Sequence, residues 1–209
     1  MKYPLSCLTG TASEAFGTVL DFHLAGARKV LDPTYGDGLS WKGLSADKYD
    51  LTRSDIREGQ DAFTLSADRP DLLGAFDVVF YDPPYFIDVA NSKDPRFAAY
   101  GGAYGQAAAA LEAYMEFVSE VPRFLVPNGK LILKCGDQYH VKTRRLLLHH
   151  LRWCEAIARS GLTLVDFYVY RYHRVSPTAY QVKARPSAVI THSYFVVGQL
   201  VKGAADGNR

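Results

Sequence analysis

Short apolar runs alternate with amphipathic stretches along the chain, and this alternation predicts its elements. Apolar runs of strand length cover 28–32, 49–55, 76–81, 130–134, 162–172 and 188–201, and apolar residues at helical spacing cover 11–24, 106–125 and 143–160. Weaker helical signals lie around Trp41 and over 65–73. Strands that alternate with helices predict an α/β fold: a mostly parallel sheet, helices on both faces, and an antiparallel pair near the C-terminal end.

Length and composition are those of one globular domain. The chain has 209 residues, of which 48% are apolar and 22% charged, enough for one sizeable core. We expect the domain over 1–202 and a disordered tail over 203–209. No apolar run approaches the roughly 20 residues of a membrane helix, and the first residues lack the pattern of a signal peptide.

The cysteines and histidines give no sign of a structural metal. Cys7, Cys135 and Cys154 are odd in number and widely spaced, which argues against a disulfide framework or a zinc site and indicates a reducing cytoplasm. The pair His149 and His150 shows no ligand spacing, and we expect both residues on a helix surface. We therefore expect a cytoplasmic protein without a metal.

Three of the predicted strands end in an aspartate. Asp32, Asp55 and Asp82 each close a strand of the expected parallel sheet. Ligands of open parallel sheets bind beyond the carboxyl ends of the strands. We therefore expect the three carboxylates to converge on one site.

The strand over 76–81 runs directly into Asp82-Pro83-Pro84-Tyr85. The prolines fix the backbone and cannot donate hydrogen bonds, so this turn is stiff and its carbonyls point outward. It presents an acceptor carboxylate, a backbone carbonyl and an aromatic face at one place. These groups suit a planar base that carries an amino group.

A glycine turn follows the strand that ends at Asp32, with Gly36 and Gly38 as its glycines. Glycines at this spacing let the backbone approach a ligand where a Cβ would collide. Asp55 lies 17 residues after Gly38. In nucleotide-binding folds an acidic residue roughly 20 positions beyond the glycine loop accepts hydrogen bonds from ribose hydroxyls.

These motifs, in this order, resemble those of the amino-methyltransferases, which methylate the exocyclic nitrogen of adenine or cytosine. The resemblance spans about residues 5–202 and is looser in the middle and C-terminal parts. It implies a single-domain, Rossmann-like methyltransferase fold and S-adenosylmethionine as the cofactor. The cofactor-binding residues that it implies are Asp32, Pro33, Tyr35, Gly36, Gly38, Asp55, Asp61 and Ala62.

The resemblance also implies the chemistry of the Asp82 turn. Tyr85 would stack on a base flipped out of a duplex, while the Asp82 carboxylate and the Pro83 carbonyl accept its amino protons. Pro84 completes the motif. Phe86 would add to the stacking surface or belong to the core.

The net charge of +2 hides a division between the two parts of the chain. Through Gly129 there are 11 Lys/Arg against 18 Asp/Glu, a balance of −7, and from Lys130 onward there are 13 against 4, a balance of +9. A basic second part is the footprint expected for phosphate binding, although a solvated surface gives the same pattern. The nucleic-acid-binding candidates are Phe86, Lys134, Arg144, Arg145, Arg171, Arg174, Lys183 and Arg185. Lys134 resembles a family lysine near the site, or it snorkels to solvent from a strand end.

The expected function is transfer of a methyl group from S-adenosylmethionine to a base amino group in DNA. Aspartate at the first position of the turn favours adenine N6 in this family, whereas cytosine N4 enzymes more often carry serine. Methylation of an RNA base is the main alternative reaction. Methylation of a protein glutamine is disfavoured, because the enzymes that catalyse it usually have asparagine at the first position of this motif. A nucleic-acid-binding module that has lost the chemistry is the non-enzyme alternative. Target recognition would fall to loops over 87–105 and 171–185.

Overall fold

The computed structural model describes residues 4–24, 26, 29–84, 107–140, 144–172 and 189–201. The strands are β1 (Cys7–Leu8), β2 (Lys29–Asp32), β3 (Asp50–Arg53), β4 (Phe76–Tyr81), β5 (Leu125–Cys135), β6 (Gln138–His140), β7 (Arg145–Leu147), β8 (Thr163–Arg171) and β9 (His192–Gln199). The α-helices are α1 (Ala12–Leu24), α2 (Leu65–Asp68), α3 (Ala107–Phe124) and α4 (His149–Arg159). Short 3-10 helices lie at Leu39–Trp41, Ala46–Lys48, Ile56–Glu58 and Pro70–Leu72.

Seven strands form one sheet in the order β1-β8-β9-β5-β4-β2-β3. The pairs β1–β8, β2–β3, β2–β4 and β4–β5 are parallel, and β9 runs antiparallel to both of its neighbours, β5 and β8. The mostly parallel sheet with an antiparallel strand near the C-terminal end is confirmed. Because β2, β4 and β5 are neighbours and parallel, their carboxyl ends lie side by side.

The sheet separates two hydrophobic cores. Successive residues of β4 face opposite sides, with Val78 and Phe80 in the core under α1, and Val79 and Tyr81 in the core under α3 and α4. All four side chains are nearly inaccessible to solvent. A strand buried on both faces reads as a continuous apolar run, which is why the sequence from Phe76 to Tyr81 shows no polar alternation beyond Asp77. Helices therefore cover both faces, as predicted.

Helix α1 begins with a reciprocal cap that its sequence encodes. The Glu14 amide donates to Thr11 Oγ1 at 3.2 Å, and the Thr11 amide donates to Glu14 Oε2 at 2.8 Å. This capping box satisfies two amides that the first turn would otherwise leave unpaired. It fixes the end of α1 that lies nearest to the carboxyl edge of the sheet, since Ala12 also lines the cavity described below.

Two parts of the sequence prediction differ from the structure. The predicted helix over 143–160 begins only at His149, because residues Arg145–Leu147 pair with Gln138–His140 in the β6–β7 hairpin. The strand predicted over 130–134 begins earlier, at Leu125, so that the Pro-Asn-Gly segment lies within β5, where the pairing with β4 shifts register and Asn128 has φ of 66°. Both are consequences of pairing between strands, which local patterns do not report.

None of the helices in the described ranges is both long enough and apolar enough to span a membrane.

Candidate active site

A cavity of about 460 Å³ lies where β2, β3 and β4 end. Its size is within the range of small-molecule and cofactor sites. Asp32, Asp55 and Asp82 all line it, so the three strand-end carboxylates converge as the sequence predicts. Its other lining residues include Pro33, Thr34, Tyr35, Gly36, Ser40, Ile56, Asp61, Ala62, Phe63, Pro83, Pro84, Tyr114 and Lys134.

Asp32 anchors the turn that follows β2. Its side chain is buried, and its two oxygens accept hydrogen bonds from the Thr34 amide at 2.9 Å, the Thr34 hydroxyl at 3.2 Å and the Trp41 indole N–H at 2.6 Å. Burial raises the pKa of Asp32 to about 7; the hydrogen bonds from Trp41 and Thr34 oppose this rise and the charge of Asp82 adds to it. The bond from Trp41 has no signal in the sequence, because it joins a strand end to a 3-10 helix nine positions away.

The glycine turn needs its glycines for two different reasons. Gly36 has φ of +55° and Gly38 has φ of +66°, the left-handed region that residues with a Cβ rarely adopt. A Cβ on Gly38 would in addition lie 2.6 Å from the hydroxyl of Tyr35, whereas a Cβ on Gly36 would have no neighbour closer than 3.8 Å. Tyr35 therefore lies against Gly38, and its ring also faces the guanidinium of Arg53 at 5.0 Å.

Asp55 ties the glycine turn to the segment after β3. Its Oδ2 accepts the Gly36 amide at 2.7 Å, and its Oδ1 accepts both the Arg57 amide at 2.9 Å and the Arg57 Nε at 2.8 Å. Partial burial alone would raise the pKa of Asp55, but the hydrogen bonds from Arg57 and Gly36 outweigh it and lower the pKa. Asp55 is thus an ionised acceptor on the cavity, with its orientation fixed from two sides.

An apolar wall closes the cavity next to Asp61. The Phe63 ring stacks on the Tyr114 ring with centroids 5.8 Å apart, and Ile56 and Ala62 line the same cavity. The Asp61 carboxylate accepts the Phe63 amide at 3.0 Å through Oδ1. Aromatic and aliphatic side chains beside a carboxylate suit a flat ring that bears a hydrogen-bond donor.

Asp82 is held from three directions. Its amide donates to the Thr34 hydroxyl at 2.9 Å, and its Oδ2 accepts Lys134 Nζ at 2.7 Å and the Ser40 hydroxyl at 3.3 Å. The Lys134 side chain is only 11% exposed, so the alternative that it snorkels to solvent is wrong. Lys134 lies beside Asp82 because the β4–β5 register pairs Tyr81 with Leu133, one residue before each.

The remaining predicted site residues are less closely tied to the cavity. Arg144, Arg145 and Arg171 are exposed and do not line it. Tyr85, Phe86, Arg174, Lys183 and Arg185, together with most of both predicted recognition loops, lie outside the described residues.

A second polar group, which sequence reasoning missed, lies beyond the end of β5. Buried Asp137 accepts the amide of His150 at 3.2 Å, His150 Nδ1 at 2.8 Å and the hydroxyl of Tyr194 at 3.1 Å. The Tyr194 hydroxyl also contacts His192 Nε2 at 2.8 Å. His149 is 4% exposed. The expectation that both histidines lie on a helix surface is therefore wrong, because α4 points its first turn inward against β5 and β9.

The residues of the cavity fit S-adenosylmethionine. The three chemical portions of this cofactor require a close approach to backbone, carboxylates for a cationic amino acid portion and for hydroxyls, and an apolar wall. The cavity offers a turn in which Gly36 and Gly38 lack a Cβ, the strand-end carboxylates, and the apolar wall beside Asp61. Asp32, Gly36 and Gly38 would take the methionine portion, Asp55 the ribose, and Asp61 with Phe63 the adenine.

No protein-family model and no curated protein sequence matches the chain. Among solved structures, a 1,6-didemethyltoxoflavin-N1-methyltransferase from Burkholderia thailandensis, with 1,6-didemethyltoxoflavin and S-adenosylhomocysteine bound, is 16% identical over 91% of this chain and 79% of that chain, with a TM-score of 0.53. A SAM-dependent methyltransferase from Methanosarcina mazei is 13% identical over 88% of this chain and 97% of that chain, with a TM-score of 0.52.

A candidate DNA modification methylase from Thermus thermophilus, complexed with S-adenosyl-L-methionine, is 14% identical over 85% of this chain, with a TM-score of 0.48. The match covers 57% of that protein, so this chain spans little more than half of its length. The two matches with the higher scores extend over most of both chains. The chain therefore has the Rossmann-like fold of the S-adenosylmethionine-dependent methyltransferases.

Proposed function

We propose that this protein transfers a methyl group from S-adenosylmethionine to the exocyclic amino group of a base in DNA, with N6 of adenine as the target. The observation that carries the proposal is the position of Asp82. Its carboxylate lines the cavity directly after β4, it is followed by two prolines, and only its Oδ2 is engaged among the described residues. Oδ1 is left to accept a hydrogen bond from a ligand.

The role of the Asp82 turn in this proposal is to orient an amino group. The Asp82 carboxylate and the Pro83 carbonyl would each accept one amino proton, which draws the nitrogen lone pair out of conjugation with the ring. Proline cannot donate a hydrogen bond, so the turn offers acceptors to the amino group. When bound, S-adenosylmethionine supplies an electrophilic methyl group and would leave as S-adenosylhomocysteine, after which the methylated nitrogen loses one proton to solvent. Fixed acceptors contribute through positioning and electrostatics.

Nucleic acid as the substrate is supported by the sequence of the turn and by charge. A base inside a duplex cannot reach a cavity at a sheet edge, so it would be flipped out at a cost of a few kcal/mol, and Tyr85 would stack on it. The part of the chain from Lys130 onward carries a balance of +9. Exposed Arg144, Arg145 and Arg171 belong to it and can contact phosphates.

The test is methyl transfer from isotope-labelled S-adenosylmethionine to unmethylated DNA and, separately, to total RNA. After digestion to nucleosides, mass spectrometry identifies the labelled product. We expect label in N6-methyladenine from DNA. Label in N4-methylcytosine would change the base, and label in RNA nucleosides alone would change the substrate class.

The matched variant is Asp82→Ala. We expect it to lose transfer almost completely while binding S-adenosylmethionine with an affinity close to that of the unchanged protein, as titration calorimetry would measure. Transfer retained by Asp82→Ala would refute the role given to the turn. Cofactor binding by the unchanged protein without transfer to either nucleic acid would refute the proposed reaction.

A further inference from the structure

We propose that Lys134 is a positioning residue that, together with Ser40, holds Oδ2 of Asp82 so that Oδ1 alone faces the substrate amino group. This inference rests on the proposed function and concerns the same site. We call the three side chains of Lys134, Ser40 and Asp82 the Asp82 clamp.

The contacts of the clamp all fall on one oxygen. Lys134 Nζ lies 2.7 Å from Oδ2 and the Ser40 hydroxyl lies 3.3 Å from it, whereas Oδ1 has no hydrogen bond from the described residues. The Asp82 amide is fixed separately, through the Thr34 hydroxyl at 2.9 Å. A carboxylate bound by its backbone and by one oxygen cannot rotate freely. Its second oxygen therefore has a defined direction.

The ion pair between Lys134 and Asp82 is largely buried. Lys134 is 11% exposed and Asp82 is 19% exposed, so both charges are largely removed from water. A buried charge is tolerated when it is paired and hydrogen-bonded. Asp32, whose side chain is buried, adds a carboxyl close enough to influence Asp82 electrostatically. Lys134 supplies the positive charge that lets two carboxyls occupy the same edge.

The clamp also connects the two halves of the site. Ser40 belongs to the 3-10 helix that follows the glycine turn, and Lys134 belongs to β5 on the other side of β4. The position of the Asp82 carboxylate is thus fixed from one side by Ser40, which follows the glycine turn, and from the other side by Lys134 of the neighbouring strand β5. A misplacement of about 1 Å at such a group can cost on the order of 100-fold in rate.

The experiment compares Lys134→Met, Lys134→Arg and Asp82→Asn with the double variant Lys134→Met/Asp82→Asn. We expect Lys134→Met to lower kcat by about 100-fold and to leave cofactor affinity within about twofold, and Lys134→Arg to recover part of the loss by restoring the charge. In the Asp82→Asn background, Lys134→Met should cause a much smaller further loss than in the unchanged protein, because a positioning residue acts through the group that it holds.

Lys130 offers a matched control on the same strand. It lies on the same face of β5 as Lys134, but its Nζ donates to the carbonyl of His23 at 2.7 Å and it does not line the cavity. We expect Lys130→Met to leave kcat within about twofold. A loss of kcat in Lys130→Met equal to that in Lys134→Met would show a general effect of removing a lysine from β5 and would overturn the inference.

A second measurement does not depend on turnover. Urea unfolding of the unchanged protein, Lys134→Met, Asp82→Asn and the double variant gives the coupling free energy between the two sites. If the clamp exists in solution, the change in the unfolding constant of the double variant should differ by about threefold or more from the product of the changes in the two single variants. A double variant whose change equals that product would overturn the clamp itself.

The two proposals fail in different ways. Transfer that is lost in Asp82→Asn and kept in Lys134→Met would overturn the positioning role and leave the proposed function intact. Absence of transfer by the unchanged protein, with coupled unfolding, would overturn the proposed function and the substrate part of this inference. The clamp would then stand as a structural ion pair only.

Discussion

Asp32 is a carboxyl whose charge depends on what fills the cavity. All three of its hydrogen-bond partners are donors, which suits the ionised form, yet burial raises its pKa to about 7. A cationic amino acid portion bound beside it would favour the ionised form. Binding of such a ligand at a pH below about 7 therefore releases a proton, and its affinity should increase as the pH rises towards 7.

This gives a prediction for S-adenosylmethionine. Its affinity for the unchanged protein should rise by up to about fivefold between about pH 6 and pH 7 and level off above about pH 8. In Asp32→Asn the affinity should be lower and lack this part of the pH dependence. Titration calorimetry in two buffers of different ionisation enthalpy would measure both the affinity and the proton release. The same slope in both proteins would rule out Asp32 as its source.

Gly36 and Gly38 are a matched pair of positions for testing the glycine turn. Both have positive φ, but only a Cβ on Gly38 would meet Tyr35, at 2.6 Å. Gly36→Ala should lower the free energy of unfolding by about 1 kcal/mol through backbone strain, and Gly38→Ala should lower it by about 1–3 kcal/mol more because the ring must move. Urea unfolding would give both values. In a Tyr35→Ala background the difference between the two should largely vanish; a difference that persists would mean that contact with Tyr35 is not its cause.

At the scale of elements, Asp137 joins the end of β5 to the first turn of α4 and to β9. It is 6% exposed and accepts hydrogen bonds from His150 and Tyr194. Asp137→Asn places the asparagine NH2 group against the donors of His150 and Tyr194 and should lower the free energy of unfolding by about 2–4 kcal/mol. Tyr194→Phe removes one hydrogen bond and should lower the free energy of unfolding by about 1 kcal/mol. Chemical denaturation would measure both. Equal effects would show that Asp137 does not join these elements.

Sequence patterns predict the elements whose burial and capping depend on their own residues. The apolar run from Phe76 to Tyr81, the capped helix over 12–24 and the long helix over 107–124 are recognisable locally because burial and capping follow from their own residues. The two-residue strand β1 is not, because Cys7 and Leu8 become a strand only by pairing with Val169 and Tyr170, about 160 positions away.

The same division holds for the candidate site. Asp32, Asp55 and Asp82 could be placed together from the sequence, since parallel strands bring their ends to one edge. The bonds of Lys134 and Ser40 to Asp82 could not, because they depend on the β4–β5 register and on the path of the 3-10 helix after the glycine turn. A strand pattern predicts which residues reach the edge, and the register decides which of them touch.

At the scale of the whole molecule, two buried groups on different parts of the sheet give stability opposite dependences on pH. Burial, helped by the charge of Lys130 and opposed by Asp166, lowers the pKa of His23 from 6.5 to about 4. The unfolded chain therefore takes up the His23 proton more readily, and stability falls as the pH drops from 6.5 towards 4. Asp32 has its pKa raised from 3.8 to about 7, so stability falls as the pH rises over that range.

Each contribution is on the order of 3 kcal/mol over its full range, and the two oppose each other between about pH 4 and pH 6.5. His23→Gln should gain stability relative to the unchanged protein as the pH falls, and Asp32→Asn should gain relative stability as the pH rises. Urea unfolding at several pH values across this range would show two difference curves of opposite slope. Parallel curves would mean that one of the groups keeps its ordinary pKa in the folded protein. Opposite slopes would show that this part of the pH dependence comes from two distant buried sites, one beside Tyr168 and the other at the cavity.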